Sequence, residues 1–197
     1  MASFSPSTRI PGSVVLFFVK ALCLFIAWKA LYILVLEPSR TLDRPLTRMI
    51  GRATAGVLDL MASRPDGYST RMAMDTVFLD GAILSTPAVD IYRGERRTLR
   101  VADACNGLEM MVLYVGFLIC FPASAKRKWL YAIIGLVAIC LVNIIRCAAL
   151  VEIFIHYHKY LDFSHHFAFT FLVYGFIFFL WYQFTKNQRL NGRIVEA

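Results

Sequence analysis

Charged residues are scarce in this chain. Lys, Arg, Asp and Glu make up 17% of the 197 residues against 58% hydrophobic, and mean hydropathy is +0.60. That is too apolar for an ordinary soluble domain, and the apolar residues gather in long runs, as in an integral membrane protein. Acidic residues are scarcer still, 13 against 21 basic, for a net charge of +8. In a soluble chain that excess would point to nucleic acid. Here the cations cluster beside apolar runs, so membrane lipids with anionic headgroups are the expected counter-charge and nucleic acid is not an expected partner. Internal repeats and low-complexity stretches are absent. An even cysteine count is also missing. Of the five, Cys23, Cys120, Cys140 and Cys147 fall inside apolar runs, which argues against a disulfide framework. Cys23, Cys120 and Cys140 read as small packing residues. Cys105 differs, because it stands at a segment boundary among polar neighbours.

The first apolar run, Ser13 to Leu36, is broken only by Lys20 and Lys29 and ends in Glu37-Pro38 without a small-x-small cleavage site. Residues 1–36 therefore read as a tail and a retained membrane anchor rather than a secretory signal. Residues 37–104 hold nine of the 13 acidic side chains. Within them Leu46, Met49, Ile50, Ala53, Val57, Leu58 and Met61 recur at helical spacing, while Arg44, Arg48 and Arg52 form a ridge on another face. Such a helix lies at a membrane interface or packs on the bundle. From Asp75 the period shifts toward two, with Val77 and Leu79, Val89 and Ile91, then Leu99 and Val101. Arg93-Gly94-Glu95 is a turn between the last two runs, which predicts a small β-hairpin.

Three more spans follow, at about 106–123, 129–156 and 165–185, forming a three-helix core over 105–185 with a basic tail at 186–197. Lys126-Arg127-Lys128 and that tail mark the cytoplasmic side. The 37–104 loop is long enough to cross despite its own basic residues. The expected fold is thus an all-α polytopic membrane protein with about four transmembrane helices, both termini cytoplasmic, and a small extracytoplasmic α/β cap.

Length arithmetic brings three chemically active side chains to one level. Cys105 lies 21 residues before Lys126, Arg146 lies 18 after Lys128, and His166 lies 20 before Lys186. At the helical rise these separations are about 27 to 32 Å, close to one hydrocarbon thickness. A thiol, a guanidinium and an imidazole therefore share the face opposite the positive loops. Asn106 or Asp103 can cap the second span, which places Cys105 at a helix N-terminus where backbone N–H groups favour a thiolate. An arginine inside a span costs a few kcal/mol and is normally partnered. Glu109 and Glu152 are the candidate partners, and Glu109, four residues after Cys105, is the closer fit. As a reactive-site group, Arg146 would hold the thiolate or an oxyanion, with Asn143 assisting from the same helical face. An imidazole from His165-His166 would take the thiol proton and return it to a leaving amine, and His166 is the favoured candidate. His156, His158, His165 and His166 share the outer face, which raises zinc as an alternative. They lack the spacing of a zinc-protease helix, so no metal and no cofactor is expected.

Ala104-Cys105-Asn106-Gly107-Leu108, Asn143-Ile144-Ile145-Arg146 and the histidine opening the last span together resemble the exosortase/archaeosortase family. The motifs cover about 104 to 170, in the family's order and spacing. Many relatives have more spans, and this chain is similar to the compact core alone. The resemblance implies a multi-pass protein of the bacterial cytoplasmic membrane whose active site faces outward. It also implies a cysteine peptidase or transpeptidase that cleaves C-terminal sorting signals of exported proteins bearing a transmembrane tail, and transfers them to an envelope acceptor. Under it Cys105 is the nucleophile, with Arg146 and His166 (or His165) completing the site. The competing reading is a non-enzymatic assembly factor for envelope or polysaccharide export, in which Arg146 and Glu109 form a structural pair.

Overall fold

The structure, a computed structural model, describes residues 12–61, 67–79, 82–102 and 105–195. The side chains of residues 13, 77–79, 82–84, 158, 162, 165–166 and 187–195 lie outside that description. The chain opens with α1 (Gly12–Leu31), which runs through a π-helical turn (Tyr32–Leu36) into the short α2 (Glu37–Ser39). Its apolar side chains are largely exposed, and Val14–Ser39 is long and apolar enough to cross a membrane. Arg40, in the left-handed region at φ 50°, ends this rod and turns the chain into α3 (Asp43–Met61).

A three-stranded antiparallel sheet follows: β1 (Tyr68–Leu79), β2 (Ala82–Arg93) and β3 (Arg96–Ala102), in the order β1-β2-β3. The expected turn closes β2 onto β3, with Gly94 at φ 58°. The hairpin expected from the alternation is therefore present and has a third strand beside it. Pro87 to Ile91 are buried without alternation, because α3 covers one face of β2 and an ion-paired face covers the other. On that second face Arg100 forks onto Asp90 at 2.7 and 2.9 Å and reaches Asp75 at 3.3 Å. On the first face α3 approaches β2 so closely that a Cβ on Gly51 would lie 2.6 Å from Val89 Cγ1.

The remaining helices form the bundle: α4 (Leu108–Cys120), α5 (Ala125–His156), the short α6 (Leu161–Phe163), a π-helical turn (Ser164–Ala168) and α7 (Phe169–Val195). Among the described residues two helical stretches pass the length and apolarity needed for a span, Val14–Ser39 and Ala125–His156, with Leu108–Cys120 apolar but shorter. Thirteen residues rise about 20 Å, less than a hydrocarbon core. The glycine at 135 lets α5 cross α4 in contact with the Tyr114 ring, where no Cβ fits. At the basic end Lys128 Nζ donates to the Ile119 carbonyl at 2.8 Å, and Arg127 lies over the rings of Tyr131 and Phe184.

Two apolar cores result. One joins α3, the sheet and the C-terminal half of α5 through Ile50, Leu58, Ile91, Val101, Cys147 and Val151. The other joins α4, the N-terminal half of α5 and α7 through Tyr114, Leu118, Ile139, Val173, Ile177 and Phe184. The stripe expected on α3 is corrected in one respect. Ile50 and Leu58 are buried, but Met49 and Met61 are exposed, and the polar Asp43, Thr47 and Thr54 are buried instead. The buried face is rotated toward the turn that carries Cys105.

Candidate functional site

Cys105 lies on a short turn between β3 and α4, at the edge of the first core. Asn106 shapes that turn. Its side chain is almost fully buried, Nδ2 donating to Asp43 Oδ1 at 3.1 Å and Thr47 Oγ1 at 3.3 Å, while Oδ1 accepts the Leu108 N–H at 2.8 Å. Asn106 thus satisfies a free N–H at the start of α4, as expected, although the N-cap position itself is Gly107 at φ 84°. Asp103, the other expected cap, lies outside the described residues. Asp43 is held from a second side, because Tyr32 donates to its Oδ2 at 3.1 Å. A buried polar group left unpaired costs roughly 1–3 kcal/mol, so each member of this chain of bonds fixes the next.

The opposite wall is α5. Asn143, 3% exposed, donates from Nδ2 to the Cys105 carbonyl at 2.9 Å. A Cβ on Gly107 would stand 3.3 Å from the same amide, and the residue's positive φ already favours glycine. One turn further along α5, the Arg146 guanidinium is close enough to act electrostatically on the Cys105 thiol. Its Nε is buried and has no hydrogen-bond partner. The partners expected for it are engaged elsewhere. Glu109 is exposed and pairs with Lys29 of α1 at 3.8 Å, and Glu152 pairs with His156 at 3.3 Å. Glu109 misses Arg146 because Cys105 precedes the helix, so four-residue spacing does not put the two on one face.

Burial decides the state of the thiol. It pushes Cys105 above the ordinary range, Arg146 pulls it partly back, and the Asp75 carboxylate pushes it up again, for a net rise. Against the expected bias toward thiolate, desolvation outweighs the guanidinium and holds the thiol above its ordinary range. Attack from this site needs a base. His165 and His166 lie in the π-helical turn that leads into α7, and their side chains are outside the described residues. Among the described residues no cluster of three His, Cys, Asp or Glu is placed to hold a metal.

A family model described as transmembrane exosortase matches residues 3–185. The chain belongs to the transmembrane exosortase family. The match takes in the N-terminal half, where the sequence motifs give little support, as well as the motif region. No curated protein and no solved structure matches the chain. It is thus a membrane protein of a family involved in processing sorting signals. In this exosortase-family chain the structure unites Cys105, Asn143 and Arg146, and sets Glu109 apart. Asp43 and Thr47 were missed from sequence. Their signal was a polar i, i+4 pair on the α3 face away from the arginine ridge, overlooked because the face was traced through apolar residues only.

Proposed function

We propose that this exosortase-family chain is a membrane-embedded cysteine peptidase and transpeptidase acting on C-terminal sorting signals of exported proteins. The observation that carries the proposal is the buried, unpartnered Arg146 Nε beside Cys105. A donor held inside a protein without an acceptor is available to an oxygen that arrives only with substrate. The histidine at the start of the last helix, His166 in preference to His165, takes the Cys105 proton as the sulfur attacks the scissile carbonyl. Arg146 stabilises the oxyanion, the protonated imidazole delivers its proton to the leaving amine, and an acyl-enzyme remains. An acceptor nucleophile, or water, then releases the product. Asn143 and Asn106 position the turn, and no metal or cofactor takes part.

The reading places four spans in the bacterial cytoplasmic membrane with the site on the extracytoplasmic face. On this reading the 13-residue α4 makes the second crossing together with the residues after Cys120, and α7 makes the fourth. The test is cleavage of a co-expressed exported protein carrying a C-terminal transmembrane tail, followed by blot. Cys105→Ser and Cys105→Ala are expected to accumulate full-length substrate at normal enzyme levels. Normal cleavage by Cys105→Ser would favour a scaffold role in envelope assembly instead.

A further inference from the structure

The arginine ridge on α3 takes no part in the reaction proposed above. Arg44, Arg48 and Arg52 are all exposed, stand four residues apart, and line one shallow groove with Pro45 and Met49. None of the three is ion-paired with a described carboxylate. Their row rises about 12 Å along the helix. On the exposed side of the same helix are large apolar side chains: Met49 at 45% exposure within the groove, Leu60 at 90% about two turns beyond Arg52, and Leu42 just ahead of the helix. A row of cations flanked by unburied apolar groups matches a phospholipid surface, where phosphate meets the acyl boundary. A soluble anion would account for the arginines but leave Met49 and Leu60 in water. Guanidinium groups suit phosphate oxygens through paired N–H donors.

The other face of the same helix holds the reactive turn. Asp43 and Thr47 both accept from Asn106, the residue after Cys105. Asp43 adjoins Arg44, and Thr47 adjoins Arg48. We propose that Arg44, Arg48 and Arg52 form a docking ridge for anionic phospholipid headgroups. Their occupancy pins α3, and with it the Asn106 turn, against the membrane surface. The ridge acts on the accessibility of Cys105 whether or not the protein cleaves sorting signals, so its failure is separable from failure of the peptidase reading.

The test uses the full chain reconstituted in vesicles of phosphatidylcholine alone or of phosphatidylcholine with phosphatidylglycerol. Two quantities are read: phospholipid retained on the protein after re-extraction, by native mass spectrometry, and the alkylation rate of Cys105, by peptide mass spectrometry. The wild-type chain should retain phosphatidylglycerol over phosphatidylcholine by about tenfold or more, given the attraction of each basic side chain to an anionic surface. Its Cys105 alkylation rate should change several-fold between the two vesicles. The triple variant Arg44→Gln/Arg48→Gln/Arg52→Gln should lose both effects, and the triple lysine variant should keep most of the retention. Equal retention by wild type and the glutamine variant overturns the ridge as a lipid site. Retention with no change at Cys105 overturns the pinning. Inorganic phosphate reproducing the effect in phosphatidylcholine vesicles would show that the ridge binds free phosphate and overturn the lipid surface as its partner.

Discussion

The side-chain amide of Asn143 donates to the main-chain carbonyl of Cys105, joining residues 38 positions apart at 2.9 Å. The bond ties the reactive turn to α5, the helix that also carries Arg146, so sulfur and guanidinium are held on one frame. Asn143→Leu keeps the volume and removes the donor, so a half-buried carbonyl loses this bond at a cost of roughly 1–3 kcal/mol. Substrate cleavage should fall tenfold or more while the protein remains in the membrane. Cleavage within twofold of wild type would show that the turn holds its shape without α5.

The reactivity of Cys105 toward a small alkylating reagent should rise with pH along a curve displaced to the alkaline side of a free cysteine, whose thiol titrates near about 8.5. The sign follows from burial, which favours the neutral thiol and outweighs Arg146. Arg146→Ala removes a downward influence and should move the curve further alkaline. Asp75→Asn removes an upward influence and should move it toward neutral. Quantifying the alkylated Cys105 peptide against pH checks all three. An acid-shifted wild-type curve would mean that a cation or helix dipole dominates after all.

Lysine should not substitute for Arg146. The proposed role uses a planar donor set whose Nε is already buried, and an ammonium on a flexible stem presents no donor at that atom. Arg146→Lys is expected to reduce processing nearly as far as Arg146→Ala. Near-normal processing by the lysine variant would reduce the residue to a general cation.

The two neighbouring histidines should separate on substitution. They lie about 100° apart on a helix, so one of them can turn to the thiol. His166→Ala should abolish cleavage at normal expression, and His165→Ala should leave most of it, read as the ratio of cleaved to full-length substrate. The reverse pattern reassigns the base. Full cleavage by the double variant leaves the thiol with no imidazole to activate it and ends the mechanism.

What was legible in the sequence followed from rules of spacing and length. Apolar runs fixed the helices of the bundle, alternation and Gly94 fixed the β2–β3 turn, and the distance of Cys105 and Arg146 from the same basic cluster set them level. What was not legible depended on contacts between distant segments. Asp43 and Thr47 look like ordinary polar residues of an arginine-rich stretch until Asn106, some sixty positions later, is folded onto them. Glu109 was misplaced for a local reason: counting four residues from Cys105 assumes a helix that begins only at Leu108. The thiol was misjudged because its neighbours in sequence are polar, whereas its neighbours in space are the apolar side chains of α3, β3 and α5.

The two cores share α5 and the edge residue Leu46, and little else. A lesion in the sheet or in α3 therefore leaves the packing of Tyr114, Ile139, Val173 and Phe184 as it was. The amount of protein found in a membrane fraction is therefore expected to follow that packing more than the shape of the turn bearing the sulfur. A variant of α3 or the sheet should thus look healthy by abundance and yet be inert. For this chain, expression level is a poor surrogate for competence, and the state of Cys105 itself is the assay that distinguishes a damaged scaffold from a silent one.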